Sequence, residues 1–318
     1  MLTPLDFLQD LTNPLLAFLP KALLVSALSA LVCAVVGTHV VLRGMTFIGD
    51  AVAHAVFPGI AIAFVLQGSM LVGGIVAGVV TAVLIAVVGQ SRRLREDSVI
   101  GVFFVAAFAL GIVVMSRAPG YSGSLTSFLF GSITGIPDST LITSSIFAAL
   151  VLAVLLIMHR DLVAVGMDRG YAAALGMPVA LLDVLLSVLV TLAVVMSIQT
   201  IGNILVLALL VTPAASARLL TERVVPMMLL AAGIGSGSAV LGIYLSWSLD
   251  YPTGGTIVLV ATAVFVLSWL VSPRHGVLRR RRKGERTADT LTGAAERPDG
   301  MGAEAPEPVG TASTQGIG

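Results

Sequence analysis

The feature of this sequence that most limits its fold is a succession of apolar stretches, each about 20 residues long. A helix of that length rises about 30 Å, which matches the thickness of the hydrocarbon core of a bilayer. Hydrophobic residues make up 57% of the 318-residue chain, and charged residues make up only 11%. Water-soluble domains of this size do not have such a composition. We therefore predict an all-α, polytopic membrane protein.

Nine stretches have the length of a membrane span, and a count of eight remains open. The predicted spans are residues 20–42, 46–66, 70–90, 99–117, 140–158, 179–200, 203–221, 225–248 and 255–272. They define a transmembrane domain over residues 20–273. Residues 1–19 contain two prolines and are predicted to lie at the membrane interface.

The basic residues between the spans predict the orientation of the chain. Lys and Arg are enriched in short cytoplasmic loops, so the connections that carry several arginines are predicted to be cytoplasmic. These arginines are Arg92, Arg93, Arg95, Arg160, Arg169, Arg218, Arg223 and those of the run 279–283. Counting nine spans back from that run places the N-terminus outside and Arg43 inside.

The composition changes after the last span. Residues 274–318 begin with a basic run and continue with Gly, Ala, Glu, Pro and Thr. Such a segment cannot bury enough apolar surface to fold, so we expect a disordered cytoplasmic tail. A basic run beside a membrane span is expected to contact lipid headgroups and not nucleic acid.

Two ionisable residues, Asp50 and His54, lie in the second apolar stretch. Their spacing of four residues places both side chains on one face of a helix, one turn apart. Ionisable groups in hydrocarbon are costly and normally face a partner, a cavity or an ion path. A carboxylate and an imidazole are also common ligands of divalent transition metals. The pair is therefore a candidate metal site.

The depth of this pair can be estimated from helix geometry. A continuous helix from Arg43, at the cytoplasmic boundary, would place His54 about 16 Å deep, near the midplane of the bilayer. A structural role is the alternative. Asp50 would then be favoured near a helix start, and His54 would form a hydrogen bond between helices.

The longest inner connection, residues 159–178, is rich in small and apolar residues. This composition favours a short surface helix that ends at Gly176 and Pro178. Such a helix could dock a soluble partner, or it could lie on the membrane without one. The chain contains neither a Gly-x-x-x-x-Gly-Lys-Ser/Thr phosphate loop nor a recognisable nucleophile and base, so we expect no enzyme activity.

Two further polar residues lie near the predicted cytoplasmic boundary. His39, near the end of span one, is expected to pack and not to bind a ligand. Asp183, early in span six, is expected near the headgroups, and a buried polar role stays open. Near span seven, Pro213 is expected to interrupt a helix.

Three blocks of the sequence resemble the permease subunits of metal-ion ABC importers of the zinc, manganese and iron type. The first is residues 43–64, which contain Gly-Asp-Ala-x-x-His-Ala-x-x-Pro-Gly. The second is Asp-x-x-x-Ala-x-x-x-Gly at 168–176, and the third is residues 202–217 with Pro-Ala-Ala-x-Ala. The short segments 128–131 and 250–254 also fit the family. The resemblance extends over about residues 15–275.

The resemblance implies a multi-pass protein of the bacterial plasma membrane that carries zinc, manganese or iron inward and holds no permanent cofactor. It implies several partners: a second copy of the chain, ATPase subunits on the cytoplasmic side, an extracellular metal-carrier protein and the surrounding lipid. It also implies that Asp50 and His54 meet the metal in the translocation path. The inner loop would contact the ATPase through Asp168, Ala172, Ala173 and Gly176.

Two other functions stay open at this point. In a proton-coupled secondary metal transporter, Asp50 and His54 would relay protons. An ABC permease for a metal chelate would have little need of a buried Asp–His pair.

Overall fold

The computed structural model describes residues 4–45, 47–89, 96–116 and 137–272. Within these ranges the regular structure is helical, and a 3₁₀ turn at Pro14–Leu16 precedes the first span. The α-helices, in chain order, are α1 Pro4–Thr12, α2 Phe18–Leu42, α3 Ile48–Ala55, α4 Phe57–Val65, α5 Met70–Gly89, α6 Glu96–Met115, α7 Asp138–Ile157, α8 His159–Met167, α9 Arg169–Ala174, α10 Val179–Ile201, α11 Asn203–Leu220, α12 Val224–Leu249 and α13 Thr253–Val271.

The predicted membrane spans coincide with these helices. In the described part of the chain, six helical segments are long and apolar enough to cross a bilayer: α2, the combined α3–α4 segment, α7, α10, α12 and α13. Three shorter apolar segments lie at Met70–Ile85, Gly101–Met115 and Leu205–Leu220. The all-α membrane fold is confirmed, and the helices are consistent with nine spans.

Helix α2 lies at the centre of the bundle, where it packs against α7, α10, α11 and α12. In its most apolar 18-residue stretch 78% of α2 is buried, compared with 17% for α13, which lies at the periphery of the described helices. Small residues allow the central helices to approach closely. A Cβ atom at Gly37 would lie 1.8 Å from the carbonyl oxygen of Leu210, so α2 and α11 touch through their backbones.

The second span consists of two short helices, α3 and α4, which meet at Val56. Pro58 lacks the N–H group that would donate to the carbonyl oxygen of His54, four residues earlier. The helix is therefore interrupted directly beside His54.

The assumption of a continuous helix from Arg43 is wrong. Helix α2 ends at Leu42 and α3 begins only at Ile48, after a turn in which Gly44 has a φ of +71°. The helical rise from Ile48 to His54 is about 9 Å, so the depth estimate of about 16 Å does not hold.

The inner connection forms two helices, α8 and α9, where the sequence predicts one. Asp168 separates them, because its backbone is extended (φ −152°, ψ 107°). Its side chain caps the new helix, with Oδ1 accepting a hydrogen bond from the backbone N–H of Tyr171 at 2.9 Å. Helix α9 ends before Gly176, whose φ of +76° reverses the chain towards α10.

The predicted interruption at Pro213 is also wrong, because α11 continues through this residue from Asn203 to Leu220. A helix tolerates an internal proline when neighbouring helices pack around it. The Pro213 ring lies at contact distance from Gly235 on α12, since a Cβ atom at that glycine would be 3.5 Å from Cγ of Pro213.

Several sequence predictions lie outside the described residues. They concern the tail, the basic run 279–283, residues 117–136 and the arginines between spans three and four. The division into an interfacial segment, a transmembrane domain and a tail stays a prediction.

The predicted orientation can be checked by cysteine labelling. Ser69, between α4 and α5, and Glu222, between α11 and α12, are both exposed and are predicted to lie on opposite sides. The single native cysteine, Cys33, is fully buried and should give no background. We expect a membrane-impermeant maleimide to label Ser69→Cys in intact cells, and Glu222→Cys only after the membrane is opened. Labelling of both variants in intact cells would contradict the orientation.

Candidate functional site

Asp50 and His54 lie on one side of α3, as their spacing predicts. The ring atom Nδ1 of His54 is 3.0 Å from the backbone carbonyl oxygen of Asp50 and 3.4 Å from Oδ1 of the Asp50 side chain. A carbonyl oxygen can only accept a hydrogen bond, so Nδ1 carries the hydrogen, and in the neutral ring Nε2 then carries the lone pair. The helix therefore presents Nε2 of His54 and the carboxylate of Asp50 as ligand atoms.

Two aromatic rings of α6 hold the His54 ring in place. The ring centroids of Phe104 and Phe108 are 4.7 Å and 5.0 Å from that of His54, with interplanar angles of 84° and 79°. Edge-to-face packing of this kind is a favourable arrangement of aromatic rings. The sequence analysis missed these two residues, although their spacing of four places both on one face of span four.

The glycines of the 49–59 motif position the site against neighbouring helices. A Cβ atom at Gly49 would lie 2.2 Å from Cδ2 of Leu210 on α11. A Cβ atom at Gly59 would lie 2.1 Å from the carbonyl oxygen of Gly73 on α5. A side chain at position 59 would push the span away from the backbone of α5, whereas one at position 49 would meet only the flexible end of Leu210. Gly59 therefore fixes the distance between this span and α5.

The candidate site lies at the surface of the single chain. The side chain of Asp50 is 43% exposed and that of His54 is 19% exposed. Phe47, three residues before Asp50, is 67% exposed and continues the same face. A carboxylate that faces hydrocarbon is costly, so this face of α3 requires water, an ion or another protein chain.

The described residues of one chain bring together only two of the predicted ligand residues, Asp50 and His54. Within the described residues, no group of three or more His, Cys, Asp or Glu side chains could hold a metal ion. First-row transition metals bound by proteins take four or more ligands. If Asp50 and His54 bind such an ion, the remaining ligands must come from outside this part of the chain.

The four residues predicted to contact the ATPase take different structural roles. Asp168 caps α9, Gly176 makes the left-handed turn after it, and Ala172 is fully buried. Ala173 is exposed. The sequence analysis missed three exposed apolar side chains in or next to α9, which together with Ala173 we call the α9 surface. They are Met167, Tyr171 and Leu175.

A group of charged residues connects the inner helices to the turn between the first and second spans. Asp183 binds Arg43 through Oδ1, and its Oδ2 lies 2.6 Å from Nη2 of Arg169. The side chain of Asp183 is only 14% exposed, in line with the polar role within the protein that the sequence left open. His39 is buried as expected, with its ring 5.6 Å from that of His159 on α8.

Known proteins identify the family of this fold. The sequence profile of the ABC 3 transport family matches residues 16–272, which is most of the chain. The chain belongs to the ABC 3 transport family. This confirms the resemblance to an ABC permease and the multi-pass membrane location.

Two curated relatives match this chain over most of their own length. The manganese transport system membrane protein MntC of Halalkalibacterium halodurans is 40% identical over 273 residues, which are 86% of this chain and 94% of the relative. The chelated iron transport system membrane protein YfeC of Yersinia pestis is 36% identical over 264 residues, which are 83% and 90% of the two chains.

A solved structure has the same fold. It is PsaBC from Streptococcus pneumoniae in complex with a Fab, with a TM-score of 0.79 and 33% sequence identity. The match covers 88% of this chain and all of the other chain. The roles of Asp50, His54 and the α9 surface stay predictions.

Proposed function

We propose that this ABC 3 family chain is the permease subunit of an importer that carries a divalent transition-metal ion into the cell. The observation that carries this proposal is the pairing of Asp50 and His54 on the exposed face of α3. A carboxylate oxygen and an imidazole nitrogen form a ligand set for such ions. The hydrogen bond from Nδ1 of His54 to the Asp50 carbonyl supports it, because metal-binding histidines are commonly oriented in this way.

The exposure of the site supports a homodimer. Two chains related by a two-fold axis would bring together two Asp50 and two His54 side chains, a set of four oxygen and nitrogen ligands. The same contact would cover the half-exposed carboxylate and the exposed ring of Phe47. The ion would then cross the membrane between the two chains.

ATP hydrolysis is assigned to a separate subunit on the cytoplasmic side, because this chain lacks a phosphate loop. The α9 surface is its docking site, since exposed apolar side chains outside the membrane mark contacts with other proteins. An extracellular carrier protein would deliver the metal at the opposite face. Membership of an ABC transport family favours this arrangement over proton-coupled transport.

Manganese is the first candidate for the transported ion, followed by iron and zinc. MntC is named as a manganese transport protein and YfeC as a chelated iron transport protein. The name of YfeC also supports a second candidate function, the import of a metal chelate. The Asp50–His54 pair favours the free ion, because a chelator would already occupy most of the ligand positions of the metal.

The proposed function can be tested by transport into proteoliposomes. The chain would be reconstituted with its ATPase subunit and supplied with the metal-loaded carrier protein. We expect radioactive Mn²⁺ to enter only with hydrolysable ATP, and a phosphate-loop variant of the ATPase to prevent entry. Uptake without ATP that follows a proton gradient would contradict the proposal. Preference for chelated iron over free Mn²⁺ and Fe²⁺ would favour the second candidate.

A further inference from the structure

We propose that the ion pairs of Asp183 with Arg43 and Arg169 transmit movement of the inner-surface helices to the span that carries Asp50 and His54. Asp183 is then a positioning residue for ATP-driven transport. This inference rests on the proposed function, because it requires an ATPase that moves α9.

Asp183 has the geometry of a connecting residue. It lies in the second turn of α10, and its two carboxylate oxygens bind different partners. Oδ1 contacts Nη1 of Arg43, and Oδ2 contacts Nη2 of Arg169. The two arginines are far apart in the sequence and belong to different parts of the fold. One carboxylate therefore joins the turn between the first and second spans to the inner surface.

Arg43 forms the connection on the side of the candidate metal site. It directly follows Leu42, the last residue of α2, and lies five residues before α3 begins. Its side chain is only 4% exposed. Besides Asp183, its guanidinium group approaches the backbone carbonyl oxygen of Leu162 on α8, with Nη2 at 3.5 Å. A shift of Asp183 or α8 therefore acts on the turn from which the helix of Asp50 and His54 starts.

Arg169 forms the connection on the side of the α9 surface. It is the first residue of α9, and that helix is held as one unit by the Asp168 cap and by the buried side chain of Ala172. A subunit that pushes on Tyr171 or Ala173 must move Arg169 as well. Arg169 is 53% exposed, whereas Arg43 is buried, so Arg169 is the partner that can move away from Asp183.

The charges give the connection two arrangements. With Arg169 in place, the carboxylate is shared between two guanidinium groups. When Arg169 is displaced, Asp183 forms an ion pair with Arg43 alone. Charge-assisted hydrogen bonds in a partly buried site are strong and depend on geometry, so a small displacement of α9 changes the force on the α2–α3 turn.

The experiment uses the full complex in proteoliposomes, with Asp183→Asn and Arg169→Gln as the test variants. Asp161→Asn is the matched control, because it removes the same charge from the exposed face of α8. We expect both test variants to raise the ATP hydrolysed per Mn²⁺ transported by about tenfold. Mn²⁺ binding to the purified complex should stay within about twofold of wild type, since neither residue is a proposed ligand.

The double variant with both substitutions separates transmission from independent effects. If the two residues act through one contact, the double variant should hydrolyse no more ATP per Mn²⁺ transported than the more strongly affected single variant. The control should behave like wild type. If Asp183→Asn does not fold, Arg169→Gln still tests the inference. Arg169 is half-exposed, so its substitution should not prevent folding.

Three results would overturn the inference. The first is a normal ratio of ATP hydrolysed to Mn²⁺ transported in Arg169→Gln. The second is an equal rise of this ratio in the Asp161→Asn control, and the third is a loss of Mn²⁺ binding in the test variants. Failure of the proposed function looks different, because wild type itself would then show no ATP-dependent Mn²⁺ uptake.

Discussion

Replacing Asp50 with Asn, or His54 with Phe, is expected to lower metal uptake by on the order of a hundredfold or more. Asn keeps the size of Asp50 and removes its charge. Phe keeps an aromatic ring between Phe104 and Phe108 and removes both ring nitrogens of His54. Both variants should insert into the membrane normally, because neither changes the close glycine contacts of the span. The measurement is ATP-dependent Mn²⁺ uptake by the reconstituted complex.

The choice of Phe separates ligand binding from packing. If His54 only fills the space between the two phenylalanine rings, His54→Phe should transport almost as well as wild type. If Nε2 binds the ion, His54→Phe should be as inactive as His54→Ala. Asp138→Asn provides the carboxylate control, because Asp138 is 74% exposed and its partner is Lys21, at 2.5 Å. Wild-type uptake by either test variant would show that the residue is not a ligand.

Replacing Ala173 with Glu is expected to remove the response of the ATPase to the metal-loaded carrier and to lower uptake about a hundredfold. Ala173 is exposed on the α9 surface, so the added carboxylate meets the partner subunit and not the core of this chain. A charge without a partner in an apolar contact costs several kcal/mol. Stimulated ATPase activity and Mn²⁺ uptake are measured together, with the amount of copurified ATPase.

Two further variants in α9 serve as controls for Ala173→Glu. Ala173→Ser keeps the size and neutrality of the side chain and should behave like wild type. Ala172→Glu should instead unfold the inner helices, because Ala172 is fully buried. Normal ATPase stimulation and normal copurification in Ala173→Glu would show that the α9 surface is not the docking site.

The sequence predicts those features that depend on neighbouring residues along the chain. Hydropathy and length define the spans, because the thickness of the bilayer fixes how many apolar residues a helix needs. The facing side chains of Asp50 and His54 follow from the helical period alone. The glycines of the 49–59 motif are visible too, although their contact partners are not.

The errors arise where neighbouring helices decide the local conformation. The sequence predicts a helix interruption at Pro213, but the packing of the surrounding helices keeps α11 continuous. The sequence predicts one helix in the inner connection, residues 159–178, but the cap at Asp168 starts a second one. The tight turn after Arg43 shortens the helix before His54, which makes the depth estimate too large.

The sequence alone therefore determines a helical membrane protein of the ABC 3 type with a carboxylate and an imidazole on one face of its second span. Only the tertiary structure places Phe104 and Phe108 around His54, and only it joins Arg43 and Arg169 through Asp183. Arg43 and Asp183 are 140 residues apart. Helix period and hydropathy describe which side of a helix is apolar, but the packing of the whole bundle decides which helix that side meets.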